Sequence, residues 1–206
     1  MPASQSEWDA KHRLAAERTP AEPASIVREL LPLLPRGPAL DLACGTGRHT
    51  LLLAERGQHV IAVDWSNVAL EILELQARTK HISANRVGSF EKPGRRAPRG
   101  IDLFRMDLDQ IELLEQTFDL ILCFQYLQRS LFAPMTRALR PGGVLLFETF
   151  TRAQLEFEGG PRSPDHLLET GELREAFPAL RAVFYRELRA GQGIASLLAQ
   201  KPMKLS

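Results

Sequence analysis

The feature that most constrains the fold is an apolar run that stops at two closely spaced glycines. Residues 39–44 read Ala-Leu-Asp-Leu-Ala-Cys, and Gly45 and Gly47 follow at once. A helical pattern comes next, and then a second apolar run, residues 59–64, which ends on Asp64. This order predicts a buried strand, a sharp turn, a helix and a second parallel strand. A carboxylate at the end of that second strand can accept two ribose hydroxyls, so the pattern predicts a site for a nucleoside cofactor.

Two cofactor classes use such a turn, and Asp41 and Thr50 separate them. A dinucleotide site needs a third glycine where this chain has Thr50. It also gives no reason for an acid at Asp41, inside the first strand. S-adenosylmethionine (SAM) gives one, because a carboxylate can hold its cationic amino group and backbone amides suit its own carboxylate. The spacing from Gly45 to Asp64 fits either cofactor, so the prediction of SAM depends on Asp41 and Thr50.

Four segments in the right order resemble the motifs of class I SAM-dependent methyltransferases. Residues 40–47 resemble the first motif and residues 60–64 the second. Residues 118–124 and 139–147 are similar to the fourth strand and to the turn into the fifth. The resemblance covers the chain from about residue 38 to the end. It implies SAM as cofactor and methyl transfer as the activity.

Composition limits the remaining possibilities. The 206 residues, 44% of them apolar, predict one methyltransferase domain over 1–206 with a single core. A net charge of +1 gives no overall affinity for nucleic acid or an anionic membrane. No apolar run approaches the roughly 20 residues that cross a bilayer, and the start of the chain lacks a secretion signal, so we expect a cytoplasmic protein. Cys44 and Cys123 end apolar runs and are expected to be small buried residues, with no metal site.

Apolar runs alternate with amphipathic segments along the chain. This predicts the α/β class: a Rossmann-like, doubly wound, mostly parallel seven-stranded sheet, whose C-terminal antiparallel hairpin is implied by the short link at 190–193. Ser66 is expected to cap a helix. The predicted strands are 39–44, 59–64, 101–106, 118–124, 143–149, 182–188 and 194–200. The predicted helices are 5–18 and 24–34 in an N-terminal cap (1–37), and 48–56, 66–79, 109–116 and 128–140.

The resemblance also assigns the cofactor residues. It gives Gly45 and Gly47 to the methionine moiety, Asp41 to its amino group and Asp64 to the ribose. Two further assignments leave alternatives open: Trp65 lies against adenine or packs in the core, and Asp107 accepts the adenine amino hydrogen or begins a helix. Ala43 and Phe124 complete the predicted lining.

For the methyl acceptor, the sequence points to Tyr126, Arg129 and His166. Residues 125–129 replace the Asn/Asp-Pro-Pro-aromatic motif of enzymes that methylate amino groups of adenine or glutamine, which argues against those substrates. Arg129 binds an anion or pairs with a surface acid, and His166 is a base or a solvated histidine. Residues 150–168 form a substrate lid or a connector. Trp8-Asp9 and the C-terminal region resemble small bacterial methyltransferases of the tellurite-resistance type, which implies a small anionic or chalcogen-containing acceptor.

A basic segment at 80–100 keeps other functions open. It holds Arg86, Lys92, Arg95, Arg96 and Arg99, opposed mainly by Glu91. It is either a solvated surface insertion or an arm for RNA, so nucleic acid is the less favoured partner and a small molecule the favoured one. The second possible function is therefore methylation of RNA through this segment, and the third is a SAM-binding protein without turnover. The sequence does not give the oligomeric state.

Overall fold

The computed structural model describes residues 4–16, 21–88 and 99–203. The chain divides into two compact units, residues 1–112 and 113–206.

In the first unit, four strands pair in the order β3-β4-β2-β1, and every pair is parallel. The residues of β1 are all buried, and so are five of the six in β2. Strands buried in this way need cover on both faces, which the helices between them supply. The elements are α1 (Gln5–Ala16), α2 (Ser25–Leu30), β1 (Ala39–Leu42), α3 (Arg48–Glu55), β2 (His59–Asp64), α4 (Asn67–Thr79), β3 (Ala84–Arg86) and β4 (Gly100–Arg105).

In the second unit, the strand order is β5-β6-β8-β7. Strands β5 and β6 are parallel, and β8 runs antiparallel to both β6 and β7. Phe132, Phe147 and Phe177 form a cluster with ring centroids 5.0 to 6.0 Å apart. The elements are β5 (Phe118–Phe124), α5 (Phe132–Ala138), β6 (Leu139–Phe150), α6 (Glu172–Glu175), β7 (Arg181–Arg189) and β8 (Gly193–Gln200).

The α/β class and the C-terminal antiparallel hairpin are confirmed, but the strand count was wrong. The described residues contain eight strands, because Ala84–Arg86 pairs in parallel with β4. The predicted helix at 109–116 is also wrong: only Leu108–Gln110 forms one 3-10 turn. The backbone amides of Gln116 and Thr117 donate to the carbonyls of Arg137 and Ala138 instead of to carbonyls within the segment, which ends in a turn with Gln116 at a φ of 48°.

Part of the basic segment lies outside the described residues, including Lys92, Arg95 and Arg96. Of its described cations, Lys80 pairs with Glu55 and Arg86 with Glu74. In the described part of the chain, no helix is long and apolar enough to cross a bilayer.

Candidate cofactor and acceptor sites

The loop between β1 and α3 has an unusual backbone. Ala43, Gly45 and Gly47 all have positive φ, at 54°, 54° and 85°. This conformation strains Ala43, because a residue with a Cβ avoids it, at a cost of order 1–3 kcal/mol. The amides of Cys44 and Gly47 are used locally, donating to Val63 O and Cys44 O. Such strain concentrates where a chain binds a ligand, which agrees with the predicted site.

Gly47 has two structural reasons to be glycine. Besides its positive φ, a Cβ at this position would lie 2.1 Å from Leu73 Cδ1 of α4. Gly47 is also the N-cap of α3 and has no side chain with which to cap that helix. Amides in the first turn of a helix attract an anionic group. The N-terminus of α3 therefore suits the carboxylate of a ligand.

Asp64 ends β2 and is held by the backbone around it. It is buried, its Oδ2 accepts a hydrogen bond from Gly45 N at 2.8 Å, and its Oδ1 accepts one from Ser66 N at 2.9 Å. Burial raises the pKa of Asp64, and these amide bonds oppose that rise. Since an ionised carboxylate has about four acceptor positions, each oxygen retains a position for a ligand hydroxyl.

Asp41 and Thr50 form a buried pair that explains the departure from the dinucleotide pattern. The Thr50 hydroxyl donates to Asp41 Oδ2 at 2.6 Å, and both residues are essentially inaccessible. Burial raises the pKa of Asp41 to about 7, although the Thr50 hydrogen bond and the nearby Arg48 lower it. A glycine at position 50 would leave this carboxylate without its hydroxyl partner. A cationic ligand group beside Asp41 would favour the ionised form.

Helix α1 supplies two residues to the same region, of which the sequence indicated only Asp9. Asp9 Oδ1 accepts hydrogen bonds from the Ser66 hydroxyl at 2.5 Å and from Val68 N at 3.3 Å, at the N-terminus of α4. His12 Cε1 lies 3.4 Å from the point that a Cβ on Gly45 would occupy. Burial lowers the pKa of His12, whereas the charge of Asp64 raises it. The only sequence signal for His12 was its helical spacing from Trp8, on which its ring stacks.

The other predicted cofactor residues take the following positions. Trp65 is half-buried directly after Asp64. Asp107 Oδ1 accepts from Asp109 N at 3.0 Å and so caps the 3-10 turn after β4, which matches the helix-start alternative. Phe124 is buried at the end of β5 in the second unit.

The second unit carries the predicted acceptor residues. Gln125 follows β5 with φ of 54°, and its amide donates to Glu148 O at 2.8 Å. Tyr126 is half-buried and its hydroxyl donates to Gln128 Oε1. His166 is exposed at the end of a 3-10 turn. The positive φ of Gln125 marks a second strained position, directly after a strand end.

Arg129 is already engaged with other parts of the second unit. Its guanidinium donates to both carboxylate oxygens of Glu172 at 2.5 and 2.9 Å, and to the carbonyls of Asp165 and Leu167 at 3.2 and 3.0 Å. Of the two roles predicted for Arg129, binding an anion and pairing with an acid, these contacts correspond to the second. Arg129 braces the end of the 150–168 segment, whose base is closed by a parallel bridge between Thr151 and Leu168.

A buried carboxylate that the sequence analysis missed lies near the end of β6. Glu148 and Ser196 face each other across β6 and β8, and the Ser196 hydroxyl donates to Glu148 Oε2 at 2.6 Å. Both residues are buried, and Phe124 is opposite Glu148 on β5. In parallel sheets, ligands bind beyond the carboxyl ends of the strands, so Glu148 belongs with the candidate acceptor residues.

The residues of the first unit fit SAM. Asp64 offers acceptor positions for ribose hydroxyls, Asp41 a carboxylate for an ammonium group, and α3 an uncapped N-terminus for a carboxylate. The strand, glycine turn, helix and acid-terminated strand, taken together with the Asp41–Thr50 pair, define a Rossmann-like methyltransferase.

Comparison with known proteins gives the family. The family model described as "Methyltransferase domain" matches residues 40–147, more than half of the chain. The protein therefore belongs to this methyltransferase family, and its cofactor is SAM.

Individual relatives are distant. A ubiquinone biosynthesis O-methyltransferase from Hahella chejuensis is 25% identical over 130 residues, which are 60% of this chain and 48% of that protein. TehB from Haemophilus influenzae has a TM-score of 0.67 at 18% identity, with 96% of this chain and 66% of that one covered. A structure determined for the conversion of a disulfide bond into a thioacetal group in echinomycin biosynthesis also has a TM-score of 0.67, at 19% identity, covering 98% of this chain and 94% of that one. The chain spans about half the length of the curated relatives it matches.

Proposed function

We propose that this protein transfers a methyl group from SAM to a small molecule. The observation that carries the proposal is the pair of buried carboxylates, Asp41 and Asp64, beside the glycine loop and the uncapped start of α3. This set pairs one acid with a ligand cation and one with ligand hydroxyls, as an adenosyl sulfonium amino acid requires.

The cofactor residues have separate roles in this proposal. Asp64 holds the ribose hydroxyls and Asp41 the amino group, while the start of α3 receives the carboxylate, which the glycines at 45 and 47 allow to approach closely. Trp65 lies against the adenine, and Asp107, whose Oδ1 caps the 3-10 turn, accepts the adenine amino hydrogen with its other carboxylate oxygen. Bound SAM supplies an activated methyl carbon. What remains for the chain is alignment of the reacting atoms, which can supply roughly 7 to 11 kcal/mol of the barrier.

The acceptor class is the finer part of the proposal. The resemblance to tellurite-resistance-type enzymes supports a small anionic or chalcogen-containing acceptor. The contacts of the arginines argue against an anionic acceptor, because Arg129 already pairs with Glu172 and Arg152 with Glu169. Arg162 is likewise used, donating to the carbonyls of Leu155 and Phe157. We therefore propose a neutral or weakly charged nucleophile, such as a thiol or a hydroxyl, ahead of an oxyanion.

A first experiment separates binding from transfer. Calorimetry should show SAM binding, and labelled SAM should then be offered with selenite, a thiol, a phenol, a carboxylate, an amine and RNA. Transfer to one of the small molecules is the expected result. Transfer to RNA alone would replace the small-molecule proposal, and SAM binding without transfer to any acceptor would leave a SAM-binding protein without turnover.

A second experiment chooses between two proton acceptors. Glu148→Gln and His166→Gln remove a carboxylate near the end of β6 and an exposed imidazole, and Glu169→Gln is a matched control on the surface. If Glu148 takes the acceptor proton, Glu148→Gln lowers kcat and removes the acidic limb of its pH profile, with SAM affinity retained. Loss of that limb in His166→Gln instead assigns the role to His166.

A further inference from the structure

We propose a second binding site, for a phosphate group, at the end of the first unit opposite the cofactor loop. It is formed by Arg36, Arg56 and Arg99, named here the basic edge cluster. The site is independent of methyl transfer, and nothing in the cofactor or acceptor residues depends on it.

The topology of the first unit brings the three arginines together. Arg36 precedes β1, Arg56 precedes β2, and Arg99 directly precedes β4. These strands are parallel and adjacent, with Ala39 opposite Val60 and His59 opposite Gly100. Their amino ends therefore meet at one edge. Strand β2 separates this edge from Asp64 by about 17 Å at 3.3 Å per residue.

Two measures show how close the side chains lie. The guanidinium of Arg99 has Nε 3.2 Å and Cζ 3.4 Å from the point that a Cβ on Gly57 would occupy, next to Arg56. The pKa of Arg56 is lowered by burial and, after that, by the charge of Arg36. Arg99 therefore lies against the residue that follows Arg56, and Arg36 is close enough for its charge to act on Arg56.

The charges of the cluster are not compensated within the described residues. There, no carboxylate forms an ion pair with any of the three arginines, whereas Arg78 and Arg86 both pair with Glu74. Arg56 Nη2 reaches only the carbonyl of Leu34, at 3.4 Å. Its Nη1 is buried and has no hydrogen-bond partner in the described structure. The C-terminal dipole of α3 favours one cation here, but not three.

A phosphate group matches this arrangement. Guanidinium groups bind phosphate oxygens through paired, charge-assisted hydrogen bonds, and several arginines around one site are typical of phosphate recognition.

The test uses inorganic phosphate as the probe and the full chain. Phosphate is titrated by calorimetry at constant ionic strength into the wild type, Arg56→Gln and Arg99→Gln. Arg78→Gln is the matched control, because Arg78 has its own carboxylate partner. We expect saturable binding by the wild type and Arg78→Gln, and affinity at least about tenfold weaker in the two cluster variants. SAM affinity and circular dichroism check that each variant is folded.

A second arm identifies the source of the phosphate group. A ten-nucleotide single-stranded RNA is titrated over a range of salt concentrations. If the group is a phosphodiester of RNA, each cluster variant should reduce the slope of log K against log salt by about 0.7. If phosphate binds and RNA does not, the ligand is a small phosphorylated molecule. Absence of saturable phosphate binding, or equal weakening in Arg78→Gln, would overturn the proposal.

Discussion

Substituting Asp41 by asparagine should change how stability depends on pH. The pKa of Asp41 is about 7 in the folded chain, against an ordinary value of 3.8, because the carboxyl is buried. The folded protein therefore holds a proton on Asp41 between these values, and the unfolded chain does not. Stability from this residue is fully present below pH 3.8 and is lost as the pH rises through 7. Asp41→Asn removes this dependence, because an amide does not titrate.

The size of the effect follows from the two pKa values. Each unit of difference corresponds to about 1.4 kcal/mol. Between pH 5.5 and pH 7, the wild type should lose about 1.5 to 2 kcal/mol of unfolding free energy relative to Asp41→Asn. Above about pH 8 the difference between the two proteins should stay constant, since Asp41 is then ionised in both states.

The assay must compare the two proteins, because His49 titrates with the opposite sign. Burial lowers the pKa of His49 from 6.5 to about 3. The contribution of His49 to stability is therefore lost as the pH falls from 6.5 to 3. The two slopes oppose each other below pH 6.5, and the wild-type profile alone is expected to look flat there. Urea unfolding of the wild type and of Asp41→Asn at half-unit pH steps isolates the contribution of Asp41 to the unfolding free energy.

Two results would refute this reasoning. A stability difference that is independent of pH from 5.5 to 8 would mean that the buried carboxyl is not protonated near neutrality. The second concerns the ligand: an ammonium group beside Asp41 should expel its proton, so SAM binding at pH 6.5 should release protons in the wild type only. Calorimetry in two buffers of different ionisation enthalpy measures that number, and equal release by Asp41→Asn would remove Asp41 from the amino-group site.

The remaining predictions concern the glycine loop and the acceptor side. Asp64→Ala should weaken SAM binding by about 1.5 to 3 kcal/mol through lost charge-assisted hydrogen bonds, and unchanged affinity by calorimetry would rule out the ribose role. Gly47→Ala should lower the unfolding free energy by about 1 to 3 kcal/mol, because its Cβ would meet Leu73. When Leu73→Ala is added, the total loss should be smaller than the sum of the two single losses, because the smaller side chain relieves the contact; strictly additive losses would contradict the clash. Arg129→Ala should speed amide exchange in the 165–172 segment and raise the KM for the acceptor, with SAM affinity intact. Glu172→Gln should have a smaller effect on both quantities. Exchange rates equal to those of the wild type would show that Arg129 does not brace this segment.

Local patterns in the sequence predicted much of the fold. The bounds of β2 agree with the expectation, and Ser66 caps α4 by accepting from Ala69 N. These features depend on residues close together in the chain: an apolar run with one acid at its end, and a hydroxyl before an amphipathic stretch.

What the sequence did not predict depends on distant contacts. The three residues of β3 carry no strand pattern, since two of them are polar, and they form a strand because β4 offers an unpaired edge. The segment at 109–116 looks amphipathic, but its end bonds to the backbone at 137–138 instead of its own carbonyls. Likewise, Glu148 meets Ser196 only through the register of β6 and β8. The spacing of residues in the sequence does not predict such long-range pairings.

Docking of α1 through Asp9 has a thermodynamic consequence. The Ser66 hydroxyl donates a hydrogen bond to the Asp9 carboxylate, and the backbone amide of the same residue donates one to Asp64. A ligand bound at Asp64 and helix α1 bound through Asp9 thus both depend on Ser66. Binding of the ligand and docking of α1 should therefore strengthen each other. Loss of α1, for example through a start site moved past residue 16, should therefore weaken the binding of adenosyl ligands even though Asp41, Asp64 and the glycine loop are unchanged.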